Sequence, residues 1–257
     1  MEFVVIMNST NNLALELTNI SLGFEGTVAL KDVSIAFKPG TVSCVVGPNG
    51  AGKTTLFGVA SGYLKPDSGN VFLGGREITG GSPTTISRLG IGRLFQDVRA
   101  FSGMTLLENV AASKKNHPGD SLLSSLIWPL VGSQAESENL KNAMDHLSFV
   151  GLAEYKDALA QNVSYGQQKL TAIARLMNNE AECFLLDEPT AGLSDIATKN
   201  LLSTIRKLAE LGKTVVVIEH SLRVVQEIGD IVFLLKAGEI VSSGNPSEIL
   251  GSYFSEL

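Results

Sequence analysis

The sequence predicts an α/β protein built on a parallel β-sheet that helices cover on both faces. Two observations support this fold class. Short apolar strands alternate with helical segments in the first and last thirds of the chain, which is typical of parallel α/β folds. Strands such as residues 215–218 are continuous runs of valine and isoleucine, and such runs occur where a strand is buried on both faces.

In chain order, the pattern changes from strands to helices and back. The first part contains predicted strands at 13–17, 28–37 and 41–46, a helix at 54–60, and strands at 70–73 and 91–95. Residues 104–150 have helical periodicity with a loop near 116–120, and we interpret them as an inserted helical subdomain. The last part contains a helix at 165–177, a strand at 183–186, a helix at 197–211, a strand at 214–218, a helix at 222–228 and a hairpin through Ala237 and Gly238. We expect one domain over 13–250, divided into 13–96, a helical part at about 97–163, and 164–250.

Composition excludes several classes of protein. The chain has 257 residues, 44% of them hydrophobic, so it contains enough apolar side chains for a core. Its formal net charge of −6 argues against a nucleic acid partner. Cys44 and Cys183 lie in apolar runs, where a thiol behaves as a small core residue, and two cysteines do not form a disulfide scaffold.

Two features predict how the chain relates to a membrane. The first residues lack the basic segment of a signal peptide, so we expect the protein to stay in the cytosol. The most apolar stretch, 122–131, is interrupted by Ser124, Ser125 and Pro129, and it is shorter than the roughly 18 residues that a spanning helix needs. Any membrane association is therefore expected to be peripheral.

A glycine-rich turn joins the predicted strand 41–46 to the helix that follows it. Residues 47–54 fit the pattern G-x-x-x-x-G-K-[ST] in the strand–turn–helix context that this motif requires. Backbone N–H groups of such a turn bind phosphate oxygens, the lysine reaches the β and γ phosphates, and the hydroxyl binds Mg²⁺. We also expect Lys53 to be solvent-accessible. The predicted nucleotide ligands here are Gly47, Pro48, Asn49, Gly50, Ala51, Gly52, Lys53, Thr54 and Thr55.

Two adjacent carboxylates, Asp187 and Glu188, end the apolar strand 183–186. In a phosphate-binding fold, an aspartate at this point can hold Mg²⁺ and the next acid can orient or deprotonate the attacking water. We therefore predict Asp187 as a metal ligand, together with Thr54, and Glu188 as the catalytic base.

The sequence between these motifs resembles the ATP-binding cassette (ABC) family. Residues 162–168, NVSYGQQ, are similar to the family signature LSGGQ. Ser164 is a good helix N-cap, and a helix start can bind an anion. The resemblance implies that Ser164, Gly166 and Gln167 bind the γ-phosphate of an ATP held by a second cassette.

Four further residues each match a functional position of the family. Gln96 corresponds to the glutamine that senses Mg²⁺ and water, so it is also a predicted metal ligand with Thr54 and Asp187. His220 corresponds to the histidine that hydrogen-bonds the γ-phosphate. Both are predicted catalytic residues, with Lys53 and Glu188. Asp195 matches a loop through which subunits communicate. Phe24 matches the aromatic residue that stacks on adenine.

Several stretches resemble the branched-chain amino acid transporter ATPase subfamily in particular. They are the residues YGQQ at 165–168, the stretches 92–101 and 104–110, and the apolar insert at 122–131. Three residues depart from the family pattern: Val163 replaces Leu, Tyr165 replaces the first Gly of the signature, and Glu25 replaces a Gly beside Phe24. None of them removes a catalytic group.

The resemblance implies a P-loop (RecA-like) core with a parallel sheet, a small antiparallel β subdomain and an inserted helical subdomain. It also implies an Mg²⁺-dependent ATPase at the cytoplasmic face of a membrane, powering import of branched-chain amino acids or a similar small polar solute. The expected partners are a second cassette, identical or paralogous, membrane permease subunits and, indirectly, a solute-binding protein.

The sequence is also compatible with two other functions. A soluble single-cassette ATPase, such as the iron–sulfur cluster assembly type, has the same motifs. A noncatalytic nucleotide sensor is disfavoured by the presence of Lys53, Glu188 and His220. For the transporter reading, we expect Phe101, Met104 and Leu107 to form a groove for a permease helix, with core packing as the alternative.

Overall fold

The computed structural model describes residues 14–98, 100–115 and 122–255. The predicted loop at 116–120 lies outside the described residues. Two β-sheets and eight α-helices make up the described part. The α/β fold class predicted from the sequence is confirmed.

The larger sheet has six strands. They are β3 (Val42–Val46), β6 (Ile91–Leu94), β7 (Cys183–Asp187), β8 (Thr214–Ile218), β9 (Ile231–Lys236) and β10 (Glu239–Gly244), in the spatial order β10-β9-β3-β8-β7-β6. Neighbours from β9 to β6 are parallel, and β10 is antiparallel to β9. Because parallel strands end at the same edge, the residues that follow β3, β6, β7 and β8 lie along one edge of this sheet.

Buried side chains cover both faces of the six-stranded sheet. In β8, Val215 and Val217 belong to one apolar cluster, whereas Val216 and Ile218 belong to the other. This explains why the strand is apolar at every position rather than at every second one. Cys44 and Cys183 are buried free thiols in the two clusters, and burial raises the pKa of Cys44 to about 12.

The smaller sheet is antiparallel. It contains β1 (Leu15–Phe24), β2 (Thr27–Phe37), β4 (Ser68–Leu73) and β5 (Arg76–Glu77) in the order β2-β1-β4-β5. The two sheets share the second apolar cluster, and the rings of Phe37 and Phe233 meet edge to face with centroids 5.6 Å apart. β1 extends well beyond the predicted 13–17, because the strand continues through register shifts near Asn19, whose φ is 52°.

Eight helices accompany the sheets. They are α1 (Lys53–Ala60), α2 (Pro83–Arg88), α3 (Leu106–Ala111), α4 (Leu122–Phe149), α5 (Tyr165–Asn178), α6 (Asp195–Glu210), α7 (Leu222–Ile228) and α8 (Pro246–Ser255). Helices α3, α4 and α5 pack on one another, and α3 begins with a capping box formed by Thr105 and Glu108. We refer to α3, α4 and α5 as the helical side. Among the described residues, none of the helices has both the length and the apolar character needed to cross a membrane.

Helices α2 and α8 were not predicted. Each is short, but α2 carries a recognisable start signal, since Ser82 is its N-cap and Pro83 its first residue. The domain bounds proposed from the sequence stay predictions.

Candidate nucleotide site

The glycine-rich turn lies between β3 and α1, as its motif requires. Gly52, the N-cap of α1, has a φ of 104°, and a Cβ atom there would collide with the carbonyl oxygen of Ala29 in β2. A Cβ at Gly47 would collide with the carbonyl oxygen of Leu235. Glycine is therefore needed at both positions for the turn to fit between the two sheets. Pro48, Asn49 and Gly50 are exposed at the tip of the turn, and Ala51 is buried beneath it.

Lys53 is buried rather than solvent-accessible, so that expectation was wrong. Its side chain is 6% exposed because the ammonium group folds back and donates to the carbonyl oxygens of Gly47, at 2.7 Å, and Pro48, at 3.0 Å. Burial lowers the pKa of Lys53, while the nearby carboxylates of Glu188 and Asp187 oppose this shift. The positive charge thus lies near two acids, Asp187 at the end of β7 and Glu188 directly after it. Thr54 is exposed and Thr55 is half-buried.

Three predicted catalytic residues meet at the edge of the six-stranded sheet. The Glu188 carboxylate accepts from the Gln96 amide nitrogen at 3.1 Å, and its other oxygen lies 2.8 Å from His220 Nε2. These residues follow β6, β7 and β8, and Gln96 is 92 residues from Glu188 in the chain. Together with Lys53 and Asp187 they form what we call the sheet-edge cluster.

The backbone at Glu188 is unusual. Its φ is 47°, in the left-handed region that non-glycine residues rarely adopt, and its N–H donates to the carbonyl oxygen of Ile218 at 2.9 Å. This bend directs the Glu188 carboxylate toward Gln96 and His220. Non-glycine residues with such backbone cluster at active sites, although Glu25 and Ala237 of this chain have it in turns.

Asp187 forms a buried ion pair that the sequence did not predict. Arg93 Nη2 lies 3.0 Å from Asp187 Oδ2, and both side chains are 8% exposed. The guanidinium carbon is also 4.6 Å from the ring centroid of Phe95. Burial raises the pKa of the Asp187 carboxyl, and Arg93 opposes that shift. A charged residue within the otherwise apolar strand β6 was the sequence signal for this pair.

The three predicted magnesium ligands line one cavity of about 780 Å³. They are Thr54, Gln96 and Asp187. Their donors are a hydroxyl, an amide oxygen and a carboxylate, which are the hard oxygen ligands that Mg²⁺ prefers. Within the described ranges, no cluster of three or more His, Cys, Asp or Glu residues forms a ready-made metal cage. The donor set therefore fits an ion that keeps water and phosphate oxygens as further ligands.

The signature residues lie at the start of α5. The Ser164 hydroxyl accepts from the Gln167 N–H at 3.3 Å, and the Ser164 N–H donates to Gln167 Oε1 at 2.9 Å, which is a capping box. A Cβ atom on Gly166 would lie 2.8 Å from the Cβ of Ala197 in α6. The absence of a side chain at Gly166 thus lets α5 pack closely against α6.

Phe24 lies at the end of β1 and is 45% exposed. Glu25, with a φ of 44°, and Gly26 form the turn into β2. This hairpin is adjacent to the glycine-rich turn, because β2 contacts Gly52 through Ala29. The ring is accessible to a ligand, and its role in adenine binding stays a prediction.

The predicted groove for a permease helix differs from the cavity beside Gln96. That cavity is lined by Tyr63, Arg93, Phe95, Asp97, Val98, Arg175 and Asn179, among others, and not by Phe101, Met104 or Leu107. Leu107 packs partly buried against the core, which is the alternative expected from the sequence. Phe101 is 54% exposed, and the guanidinium of Arg175 lies over its ring.

Comparison with known proteins agrees with this arrangement. A family model described as ABC transporter matches residues 30–191. The chain is 35% identical over 236 residues to the high-affinity branched-chain amino acid transport ATP-binding protein LivG of Salmonella typhimurium, covering 91% of this chain and 92% of the relative.

Two solved structures resemble this one. A nucleotide-free ATP-binding cassette from an ABC transporter has a TM-score of 0.81 and 32% identity, covering 95% of both chains. The dimeric structure of a post-hydrolysis state of an ATP-binding cassette, bound to ADP and Pi, has a TM-score of 0.72 and 28% identity, covering 90% of this chain and 98% of that one.

Proposed function

The chain belongs to the ABC transporter family, and from that premise we propose that it is the ATP-hydrolysing subunit of an importer for branched-chain amino acids or a similar small polar solute. The observation that carries the hydrolytic role is the contact of Glu188 with Gln96 and His220 beside the buried Lys53. A carboxylate held by an amide and an imidazole at a phosphate-binding turn has the surroundings of a general base. The substrate class is proposed from the relative.

The residues divide the work of hydrolysis. The turn at 47–55 holds the phosphates through backbone N–H groups, and Phe24 contacts the base. When ATP binds, Lys53 would exchange its bonds to the carbonyl oxygens of Gly47 and Pro48 for bonds to phosphate oxygens. Glu188 orients the attacking water and takes its proton, while Gln96 and His220 fix the carboxylate. Mg²⁺ bound by Thr54, Gln96 and Asp187 would neutralise charge on the β and γ phosphates.

The partners follow from the same site. We propose that Ser164, Gly166 and Gln167 of one cassette close on the ATP of a second cassette, identical or paralogous, as the dimeric relative suggests. Permease subunits would bind the helical side near the cavity next to Gln96. A solute-binding protein would act through them. On this proposal we expect the chain to lie peripherally at the cytoplasmic face of a membrane.

Nucleotide titration of the Lys53→Ala variant tests the phosphate-binding role. Loss of one charged group that bonds phosphate costs about 1.5–3 kcal/mol, so ATP affinity should fall by roughly 10-fold to 150-fold. Lys65→Ala, which changes an exposed lysine, is the control. Affinity within twofold of wild type in Lys53→Ala would reject the assignment.

Coexpression with candidate permeases and fractionation tests the transporter role. The chain should sediment with membranes when its permeases are present and stay in the supernatant without them. An active ATPase that never sediments with any permease pair would instead favour the soluble single-cassette alternative.

A further inference from the structure

Tyr165 connects helix α5 to the loop that carries Gln96. The tyrosine stands where the ABC signature has its first glycine, so its side chain is an addition to the family pattern. Its hydroxyl donates to the carbonyl oxygen of Gln96 at 3.0 Å. On the other side, the ring lies 3.6 Å from the position a Cβ atom would take on Gly192. Tyr165 therefore touches both the Gln96 loop and the loop after Glu188.

Lys169 connects the same helix to the turn that carries Glu188. Its side chain is 1% exposed, and its ammonium group donates to the backbone carbonyl oxygens of Glu188, Pro189 and Ala191, at 3.3, 2.8 and 2.9 Å. Three acceptors match the three donors of an ammonium group. The same nitrogen lies 4.9 Å from the ring centroid of Tyr165, one helical turn earlier.

We propose that Tyr165 and Lys169 are positioning residues for hydrolysis, which hold the Gln96 loop and the Glu188 turn at a fixed distance from each other through helix α5. The proposal rests on the proposed ATPase function. Gln96 and Glu188 also meet directly through their side chains. Helix α5 supplies a second connection between the same two residues, through their backbones, and it begins with the predicted contact to the opposite nucleotide.

Burial makes a purely space-filling role for Lys169 unfavourable. An ammonium group loses its hydration when it is buried, and burial lowers the pKa of Lys169. An apolar side chain would fill the same space without that cost. A lysine is suited to this position because backbone carbonyls of a bent turn need donors, and the bend at Glu188 has a φ of 47°.

The Tyr165→Phe variant tests the first connection, because it removes the hydroxyl and keeps the ring. We expect kcat for ATP hydrolysis to fall by about threefold to tenfold, the effect of one hydrogen bond, while KM for ATP stays within twofold. Tyr155→Phe, which removes the hydroxyl of an exposed tyrosine outside the site, is the matched control. Equal kcat in Tyr165→Phe and wild type would overturn the role of the hydroxyl.

A double variant separates positioning from general stability. If the Tyr165 hydroxyl acts through Gln96, adding Tyr165→Phe to Gln96→Ala should lower kcat by less than twofold further. Lys169→Met should lower kcat by the same factor in the Gln96→Ala background as in wild type, because Lys169 acts on the Glu188 turn. The proposal would be overturned if Tyr165→Phe lowered kcat in the Gln96→Ala background by the same factor as in wild type.

Hydrogen–deuterium exchange gives a readout that does not depend on turnover. Tyr165→Phe should speed exchange in peptides that cover 94–98, and Lys169→Met in peptides that cover 188–192, with the rest of β7 unchanged. Unchanged exchange in both peptides would overturn the proposal even if the wild-type chain were inactive. An inactive wild-type chain with the expected exchange would instead count against the proposed function alone. Lys169→Arg, which keeps a buried cation, should restore part of the protection.

Discussion

The sheet-edge cluster and the helical side contain the two parts of the proposed nucleotide site, and they are stabilised in different ways. In the sheet-edge cluster, polar side chains bond partners far away in the chain, as Gln96 bonds Glu188. At the start of α5, Ser164 and Gln167 bond each other within one helical turn.

The geometry of the sheet-edge cluster therefore depends on the whole fold, whereas the geometry at the start of α5 depends on the local sequence. The geometry around Glu188 needs three strands in register, so a change there alters the chemistry of the whole cluster. The capping box at Ser164 forms wherever α5 begins, so its polar groups can exchange for a new partner without disturbing the sheet. The sheet edge is suited to hydrolysis, and the helix start is suited to a contact that forms and breaks.

The largest expected effect comes from removing the Glu188 carboxylate. Glu188→Gln keeps the size of the side chain but removes the base, so kcat should fall by about 100-fold to 10,000-fold while ATP binding remains. Slow hydrolysis should let an ATP-bound dimer accumulate, as measured by light scattering. Glu210→Gln, at the exposed end of α6, is the control. A Glu188→Gln variant that hydrolyses ATP within tenfold of wild type would show that another group is the base.

Ser164→Arg tests the helix start in the Glu188→Gln background. The arginine puts bulk where α5 should meet the opposite γ-phosphate, yet it leaves Lys53, Thr54 and Asp187 of the same chain unchanged. The double variant should therefore bind ATP as a monomer, measured by light scattering and nucleotide titration on one sample. If the partner is a paralogue, the two chains are mixed before measurement.

Ser164→Ala in the same background is the matched control, because it removes the cap without adding bulk. It should destabilise the fold by roughly 0.5–2 kcal/mol and still form an ATP-dependent dimer, although a weaker one. A double variant with Ser164→Arg that dimerises as readily as Glu188→Gln alone would contradict the intersubunit contact.

The Arg93→Met variant tests how strongly the sheet edge depends on long-range pairing. It leaves the buried Asp187 carboxylate without its partner, which typically costs about 3–5 kcal/mol of unfolding free energy. Adding Asp187→Asn should recover most of that loss, as measured by urea unfolding. Lys31→Met, which breaks the exposed pair with Glu239, should change stability little. An Arg93→Met variant as stable as wild type would show that Asp187 is not held by this pair.

The sequence predicted elements better than contacts. Strand β8 and helix α7 have the predicted bounds, because uninterrupted valines and a serine cap are strong local signals. The individual roles of Gln96 and His220 followed from the resemblance, and the parallel strands of the structure bring both residues to Glu188 at one edge of the sheet. The burial of Lys53 and the Arg93–Asp187 ion pair could not be predicted from the sequence. Each depends on which backbone or side-chain groups the fold brings next to these residues. The groove for a permease helix at Phe101, Met104 and Leu107 stays a prediction.

The smallest effect is expected on the helical side, from His146 in the last turn of α4. Burial lowers the pKa of His146 from 6.5 to about 4, and Lys114 and Lys213 add to the shift while Asp145 opposes it. Between these two values the unfolded chain binds a proton that the folded chain does not, so stability falls as the pH drops from about 6.5 to about 4. After allowance for partial exposure, the change amounts to roughly 1–2 kcal/mol.

His146→Gln should remove this contribution while leaving ATP hydrolysis at pH 7.5 unchanged, because α4 lies outside the sheet-edge cluster. Urea unfolding at pH 7.5 and pH 5 gives the unfolding free energy of both proteins at each pH. Between pH 7.5 and pH 5, wild type should lose more unfolding free energy than the variant. His220→Gln, the same substitution beside Glu188, should instead lower hydrolysis. If the difference in unfolding free energy between His146→Gln and wild type is the same at both pH values, burial does not lower the pKa of His146 in the folded protein, and the helical side makes no pH-dependent contribution to stability through this residue.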